Sequence, residues 1–353
     1  MVRRLLGFRE FALVVVLVIE ILFFALVQFH RDVGIGRIIS LTPAQLFEHL
    51  RANPFLNPTT LLGYFSGAVI LAVACIGSCI VIVGGGIDLS VGSVIALSSV
   101  LTAWVLRDGL TAREMNEWTA APLAIAAGMA VGSLCGAVSG LLVTRVRLQP
   151  FVATLAMMSM ARGIPLVMTE GRPVIVPRET FFVRSLGQGK ISLGVVSVPV
   201  PMVILAAAAV VFTFFMLKMK WGRQIFAIGG NEEAARFCGV RVGRIKMTMY
   251  VLAGLLAGMG GVLFAAFHGI GQSSAAFGWE LDAIAAVVVG GGSLMGGRGS
   301  VVGAVLGAIF FRILDIALNG IGYGNWSRIV VGFVLILVVV FDQIVASRGP
   351  QTV

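Results

Sequence analysis

The sequence predicts an all-α, polytopic membrane helical bundle of about ten transmembrane helices, and three observations carry that prediction. Of 353 residues, 58% are hydrophobic and only 12% are charged, whereas soluble domains average about 25% charged. The mean hydropathy of +1.02 is far above what a water-exposed globule tolerates, so most of the surface must face lipid or other apolar helices. Residues 52–87, 118–144 and 191–217 each run without a single charge, and roughly 20 apolar residues suffice to cross the hydrocarbon. The length suits one membrane domain, residues 1–353, joined by short loops.

In chain order, spans are expected near 11–29, 59–83, 91–106, 119–143, 151–168, 199–217, 247–268, 282–295, 300–318 and 327–341. The first follows Arg3, Arg4 and Arg9, as the core of a signal peptide also would. No A-x-A cleavage site comes after it and Glu20 interrupts its middle, which predicts a retained helix. The last three spans are short and broken by glycine.

Loop charge sets the expected orientation. If the N-terminus is cytoplasmic, the inner segments 1–10, 145–147, 218–246, 296–300 and 342–353 hold 14 Lys/Arg and 4 acidic residues. The outer segments 30–58, 107–117, 169–198, 269–282 and 319–328 hold 10 basic and 9 acidic residues. The positive excess lies inside, so both termini should be cytoplasmic. Trp104, Trp118, Trp221, Trp279 and Trp326 fall at expected span ends, where indoles prefer the interface. The net charge of +10 sits in short interruptions between apolar runs, which assigns it to the membrane rather than to nucleic acid.

Glycine numbers 45 of 353, against a usual share of about 7%. Gly128, Gly132, Gly136 and Gly140 recur every fourth residue, as do Gly299, Gly303 and Gly307, and that spacing lets a neighbouring backbone approach closely. Val83-Gly84-Gly85-Gly86 is echoed by Val289-Gly290-Gly291-Gly292, each a break between two spans. Transporter folds often carry repeats with broken helices at corresponding places.

Chemistry is scarce. Cys75, Cys79, Cys135 and Cys238 show no paired spacing and read as packing residues, and His30, His49 and His268 make no metal-ligand pattern. No HExxH, nucleophile elbow or clean G-x-G-x-x-G is present, which argues against an enzyme. Gly189-Lys190 is followed by Ile191 where a P-loop needs Ser or Thr. Any energy source must therefore be an ion gradient or another subunit.

The loop 218–246 is the most informative polar stretch. Asn231 is a good N-cap, Glu232 and Glu233 suit the first turn, Ala234, Ala235, Arg236, Phe237 and Cys238 continue a helix, and Gly239 stops it. A solvated interfacial turn is one reading of this short helix. A docking helix is the other, with Phe237 exposed and Arg241, Arg244 and Lys246 beside it.

Five motifs then add a resemblance: GGIDLSVGS (85–93), LQPFVATLAMMSMARG (148–163), TEGRP (169–173), GRQIFAIGGNEEAARFCGVRV (222–242) and VVVGGGSLMGGRGS (287–300). From about residue 60 to 342 the chain resembles the permease subunits of ribose-type ABC sugar importers, and GGIDLSVGS sets it apart from related branched-chain amino acid permeases. The resemblance implies a multi-pass subunit of the bacterial inner membrane that pairs with a second permease copy or paralogue. It also implies cytoplasmic ATP-binding subunits, which would bind the ATP and Mg, and a periplasmic sugar-binding protein; this chain would hold no cofactor itself. The segment matching the coupling region makes Gly230, Asn231, Glu232, Glu233, Ala234, Ala235 and Arg236 candidates for contact with the ATPase.

On that reading the pathway for a small neutral sugar should be lined by hydroxyls, amides and an aromatic group, and Asp88, Ser90, Ser93, Gln149 and Ser293 are the candidates. Asp88 has two readings: a cap accepting the N–H of Ser90 or Val91, or an acceptor for sugar hydroxyls. Glu20, Arg162, Arg312 and Asp315 also fall within spans, where ionisable groups are expensive. The spacing of Arg312 and Asp315 allows them to neutralise each other. The alternative function is an ion-coupled secondary transporter of a small polar solute, using Asp88 or Asp315 as its ion site.

Overall fold

Lipid offers no partner for a backbone N–H or C=O, so an apolar run in a bilayer satisfies them internally as helix. The computed structural model describes residues 2–33, 42–177, 180–194 and 196–348. Arg37, Arg178 and Glu179, counted above toward the orientation, lie outside the described residues, as does the C-terminal end from residue 349.

The helices are α1 (Val2–Val33), α2 (Pro43–Ala52), α3 (Pro58–Val83), α4 (Val91–Thr111), α5 (Glu117–Thr144), α6 (Pro150–Thr169), α7 (Val200–Lys218), α8 (Lys220–Gly230), α9 (Glu232–Phe237), α10 (Val242–His268), α11 (Trp279–Val289), α12 (Val301–Gly320) and α13 (Ser327–Arg348). Among the described residues, eight helices are long and apolar enough to cross a membrane: α1, α3, α4, α5, α6, α7, α10 and α12. The chain is an all-α, multi-pass membrane protein. Two expected spans fall outside that set: 327–341, where the apolar helix described is Gly324–Leu337, and 282–295, because α11 has 11 residues and stops at Gly290. At about 1.5 Å per residue it reaches only half-way across the hydrocarbon.

Local signals place the helix starts. Thr42 and Gln45 form a reciprocal capping box before α2 with Pro43 at its first turn, Asn57 accepts from the N–H groups of Thr59 and Thr60 ahead of α3, Asn116 caps α5 and Ser300 caps α12. These caps satisfy N–H groups that have no partner inside the helix. Trp104 lies two turns before the end of α4 rather than at its end, since that helix continues to Thr111.

The centre is built on α3, whose apolar stretch is 94% buried, with α4 and α10 around it. The glycine stripe of α5 packs on α10. A Cβ on Gly132 would collide with the Gly254 carbonyl, one on Gly136 with that of Tyr250, and one on Gly258 would lie 2.8 Å from the Gly128 carbonyl oxygen. Side chains are absent from this contact on both helices, which is the close approach the spacing predicts. Gly303 and Gly307 of α12 meet Gly290 and Ala286 of α11 in the same way. By contrast α1, α6 and α7 bury about a quarter of their apolar stretches and form the periphery.

Small β elements gather at one end of the bundle. β1 (Val174–Ile175) pairs antiparallel with β4 (Ile270–Gly271), and β2 (Lys190–Leu193) pairs with β3 (Val196–Pro199). Gln188, Lys190 and Ser197 line a shared cavity with Pro58 and Phe267, so this end carries the start of α3 and the end of α10. The opposite end carries α8 and α9, where Thr144, Arg145, Trp221 and Arg244 line another cavity.

Candidate functional site

At the α9 end the chain offers one short, exposed, capped helix. Asn231 Oδ1 accepts the Ala234 N–H at 2.9 Å, and Gly239 adopts φ +81°, a left-handed stop that glycine takes without strain. Glu232 accepts from Arg236 at 3.0 Å and from Lys246 at 2.6 Å, which ties the helix to the start of α10. Ala235 is 5% exposed and faces the bundle. Of the seven coupling candidates, Asn231, Glu232 and Ala235 therefore hold the helix in place. Glu233, Ala234 and Arg236 face outward, and with them Phe237, which is 84% exposed.

Gly230, the remaining candidate, belongs to a junction that sequence reasoning missed. The Gly297 N–H donates to the Val83 carbonyl at 2.8 Å, joining the end of α3 to the loop between α11 and α12. Gly229, at the end of α8, leaves no room for a Cβ against that same carbonyl. A Cβ on Gly296 would lie 3.0 Å from the Cα atoms of both Gly229 and Gly85, and one on Gly297 would lie 3.0 Å from Gly230 Cα. Three segments thus meet backbone to backbone directly beside α9. The glycines were visible as GGG and GG runs, but their convergence was not.

The two glycine breaks close their helices identically. Gly85 N–H donates to Ile82 O and Gly86 N–H to Val81 O; Gly291 N–H donates to Val288 O and Gly292 N–H to Val287 O. Beyond the caps they diverge. Residues 84–90 climb back into the bundle, and α4 begins near its middle. Gly260 of α10 lies against both Ile70, half-way along α3, and Ile95, one turn into α4. Residues 290–300 instead stay at the α9 end, where Ser300 Oγ donates to Glu10 of α1.

The structure brings Asp88, Ser90 and Ser93 together at the first break. Asp88 is buried, and its Oδ1 accepts the Ser90 N–H at 2.8 Å and the Ser90 hydroxyl at 2.6 Å, an Asx-turn just ahead of α4, whose own N-cap position, Ser90, makes no side-chain cap bond. Ser93 is fully buried, and its hydroxyl has no partner among the described residues. Ser293 is in the second break, where its Oγ accepts the Met295 N–H at 3.3 Å. Gln149 stands apart, exposed at the start of α6. Arg312 and Asp315 pair at 2.7 Å, and Asp315 also accepts from the Ser327 hydroxyl at 2.7 Å. Glu20 is buried in α1 with neither oxygen bonded among the described residues. Those residues hold no cluster of side chains suited to a metal ion.

Comparison with known proteins agrees with this arrangement. Residues 60–339 match a family model described as the branched-chain amino acid transport system / permease component. The ribose import permease protein RbsC of Bacillus subtilis (strain 168) is 38% identical over 293 residues, covering 82% of this chain and 87% of that protein. RbsC of Escherichia coli (strain K12) is 38% identical over 288 residues, 81% and 86% of the two chains. The L-arabinose ABC transporter permease protein AraH of Azospirillum brasilense is 33% identical over 295 residues, 83% of each. No solved structure gives a significant match. A family match over residues 60–339 and relatives alike over four-fifths of the length show it: this chain belongs to the family of ribose-type ABC importer permeases.

Proposed function

We propose that this chain is the membrane-spanning subunit of an ATP-driven, binding-protein-dependent importer that moves a small sugar across the bacterial inner membrane. Two copies, or one copy and a paralogue, would enclose the pathway. Separate ATP-binding subunits would hold ATP and Mg, in keeping with a sequence that has no P-loop, and a periplasmic binding protein would deliver the sugar. Relatives named for ribose and arabinose import support a pentose as cargo.

The observation that carries the reading is the outward face of α9 together with what lies behind it. Glu233, Ala234, Arg236 and Phe237 are presented to a partner, while Gly229 and Gly230 press on the end of α3 and on the 296–297 turn. A push on α9 reaches both glycine breaks through backbone contacts alone, with no flexible side chain to absorb it. At the first break Asp88 and Ser90 shape the turn that lets α4 start mid-bundle. Ser93 and Ser293 line the segments that would move, and Gln149 marks the turn before α6.

The ion-coupled alternative would use Asp88 or Asp315 as its ion site. Asp315 is taken by Arg312 and Ser327, and Asp88 Oδ1 is taken by Ser90. The test is reconstitution with the ATP-binding subunits and binding protein. Phe237→Ala is expected to lower ATP-dependent ribose or arabinose uptake at least tenfold, the loss of one anchor residue, without altering the amount of protein in the membrane. Undiminished uptake and ATPase stimulation with both Phe237→Ala and Ala234→Trp would remove α9 as the coupling element.

A further inference from the structure

The half-helix α11 begins near the middle of the bundle, and the segment leading to it is not helical. Residues 272–278 run down the side of α4. The Gln272 N–H approaches Ser99 Oγ at 3.4 Å, and a Cβ on Gly92 would lie 2.5 Å from both the Ala276 carbonyl oxygen and Glu280 Oε2. Gly92 lies at the start of α4, one turn from Ile95 and hence close to the depth of Ile70. Irregular backbone at that depth persists only where protein covers it or water reaches it.

Two arginines hold this segment from either side. Arg162 of α6 donates through Nη1 to the carbonyls of Ser273 at 2.9 Å and Ala275 at 2.7 Å. Arg328 of α13 donates through Nη2 to the carbonyl of Phe277 at 2.9 Å. Between them Ala276 is held at φ +52°, a left-handed conformation that an alanine takes only under constraint. The result is to project Phe277, which is 72% exposed, with the Arg162 guanidinium 5.6 Å from its ring centroid.

The surroundings of that ring are polar. Gln272 Nε2 donates to the exposed Ser274 hydroxyl at 2.6 Å. Glu280 Oε2 is buried and has no hydrogen-bond partner among the described residues. Arg162 Nε and Nη2 likewise make no hydrogen bond there beyond the two carbonyls that Nη1 serves. An arginine and a glutamate are too expensive to face hydrocarbon, so water or a partner subunit must meet this surface. An aromatic face beside charged donors and acceptors is what a polyol recognises: the ring covers its C–H face, and guanidinium and carboxylate take its hydroxyls.

We propose that Phe277, Arg162 and Glu280, flanked by Gln272 and Ser274, form a transient contact site for the sugar half-way across the membrane. The inference rests on the transport reading above and deepens it by naming the residues that meet the cargo. The test uses the assembled importer, with Phe277→Cys placed in a Cys238→Ser chain; Cys75, Cys79 and Cys135 are buried. The water-soluble reagent 2-sulfonatoethyl methanethiosulfonate is expected to modify Phe277→Cys and to halt uptake. Phe277→Trp and Phe277→Tyr should retain ribose or arabinose uptake, and Phe277→Leu should lower it about tenfold at equal membrane levels. Reaction with lipid-soluble N-phenylmaleimide alone, a spontaneous disulfide between two copies, or full uptake by Phe277→Leu would each overturn the proposal. A wild-type complex that moves no pentose or hexose would overturn the transport reading itself. Labelling by the sulfonate reagent in that case distinguishes a wet surface without sugar from one that was never wet.

Discussion

Asp88 shows how much of a residue's role depends on a single oxygen. Its type and place, just after three glycines, fit a helix cap and a sugar acceptor equally well. The folded chain puts Oδ1 on the Ser90 N–H and hydroxyl together, contacts that an amide oxygen can also accept. Asp88→Asn is therefore expected to match wild type in thermal stability, whereas Asp88→Ala should lose roughly 1–2 kcal/mol with the two hydrogen bonds of the turn. Sugar uptake measured on the same variants separates the two roles, because a direct sugar contact would make Asn defective in uptake while still stable. Arg312 and Asp315 are simpler: their i,i+3 spacing announced the pair, and the side chains meet at 2.7 Å.

At the scale of elements, glycine spacing was the clearest signal and tertiary packing gave it direction. The every-fourth-residue stripe of α5 implied one smooth face, but only the fold identifies α10 as the helix that fills it. Gly136 rests on the Tyr250 carbonyl, so even one methyl group has nowhere to go. Gly136→Ala is expected to lower stability by roughly 1–3 kcal/mol, the usual range for an overpacked contact. Thermal melting of the purified protein measures it, and a melting point equal to wild type would mean that α5 and α10 part without loss. The α9 helix was legible in nearly every detail, from the Asn231 cap to the Gly239 stop. Its orientation was not, because a six-residue helix has too little periodicity to tell inward Ala235 from outward Ala234.

For the whole molecule, the expected orientation follows from charge: 14 basic and 4 acidic residues on one set of segments against 10 and 9 on the other. The fold groups the α8–α9 segment and the start of α12 at one end and the β elements at the other, while Glu280 and Asp282, counted outside, lie in the first turn of α11 near mid-depth. Cys238 is exposed at the α9 end. In intact cells a membrane-impermeant thiol reagent should leave it unmodified and should label cysteines introduced at Arg31 or Thr111, both exposed. Labelling of Cys238 from outside would invert the topology. The spans themselves were legible from hydropathy because each must be long and apolar. One exception, 282–295, is apolar as well, yet the chain enters it at mid-depth through turns with Ala276 and Gly278 left-handed, and leaves it after 11 residues.

Near neighbours in the chain fix the features that were legible in it: apolar runs long enough to be helices, the cap at Asn231, glycine faces, and the motifs shared with a transporter family. Each follows from contacts within a few residues, or from the cost of burying an unpaired backbone group, and both are readable locally. Which segments distant in the chain meet each other is set by the fold alone. Gly229 reaches Val83 and Gly297, Arg162 reaches Ser273 and Ala275, and Arg328 reaches Phe277. These contacts depend on how helices cross and where an irregular segment runs. Composition and periodicity carry no record of either, because a glycine or an arginine looks the same in sequence whichever backbone it meets.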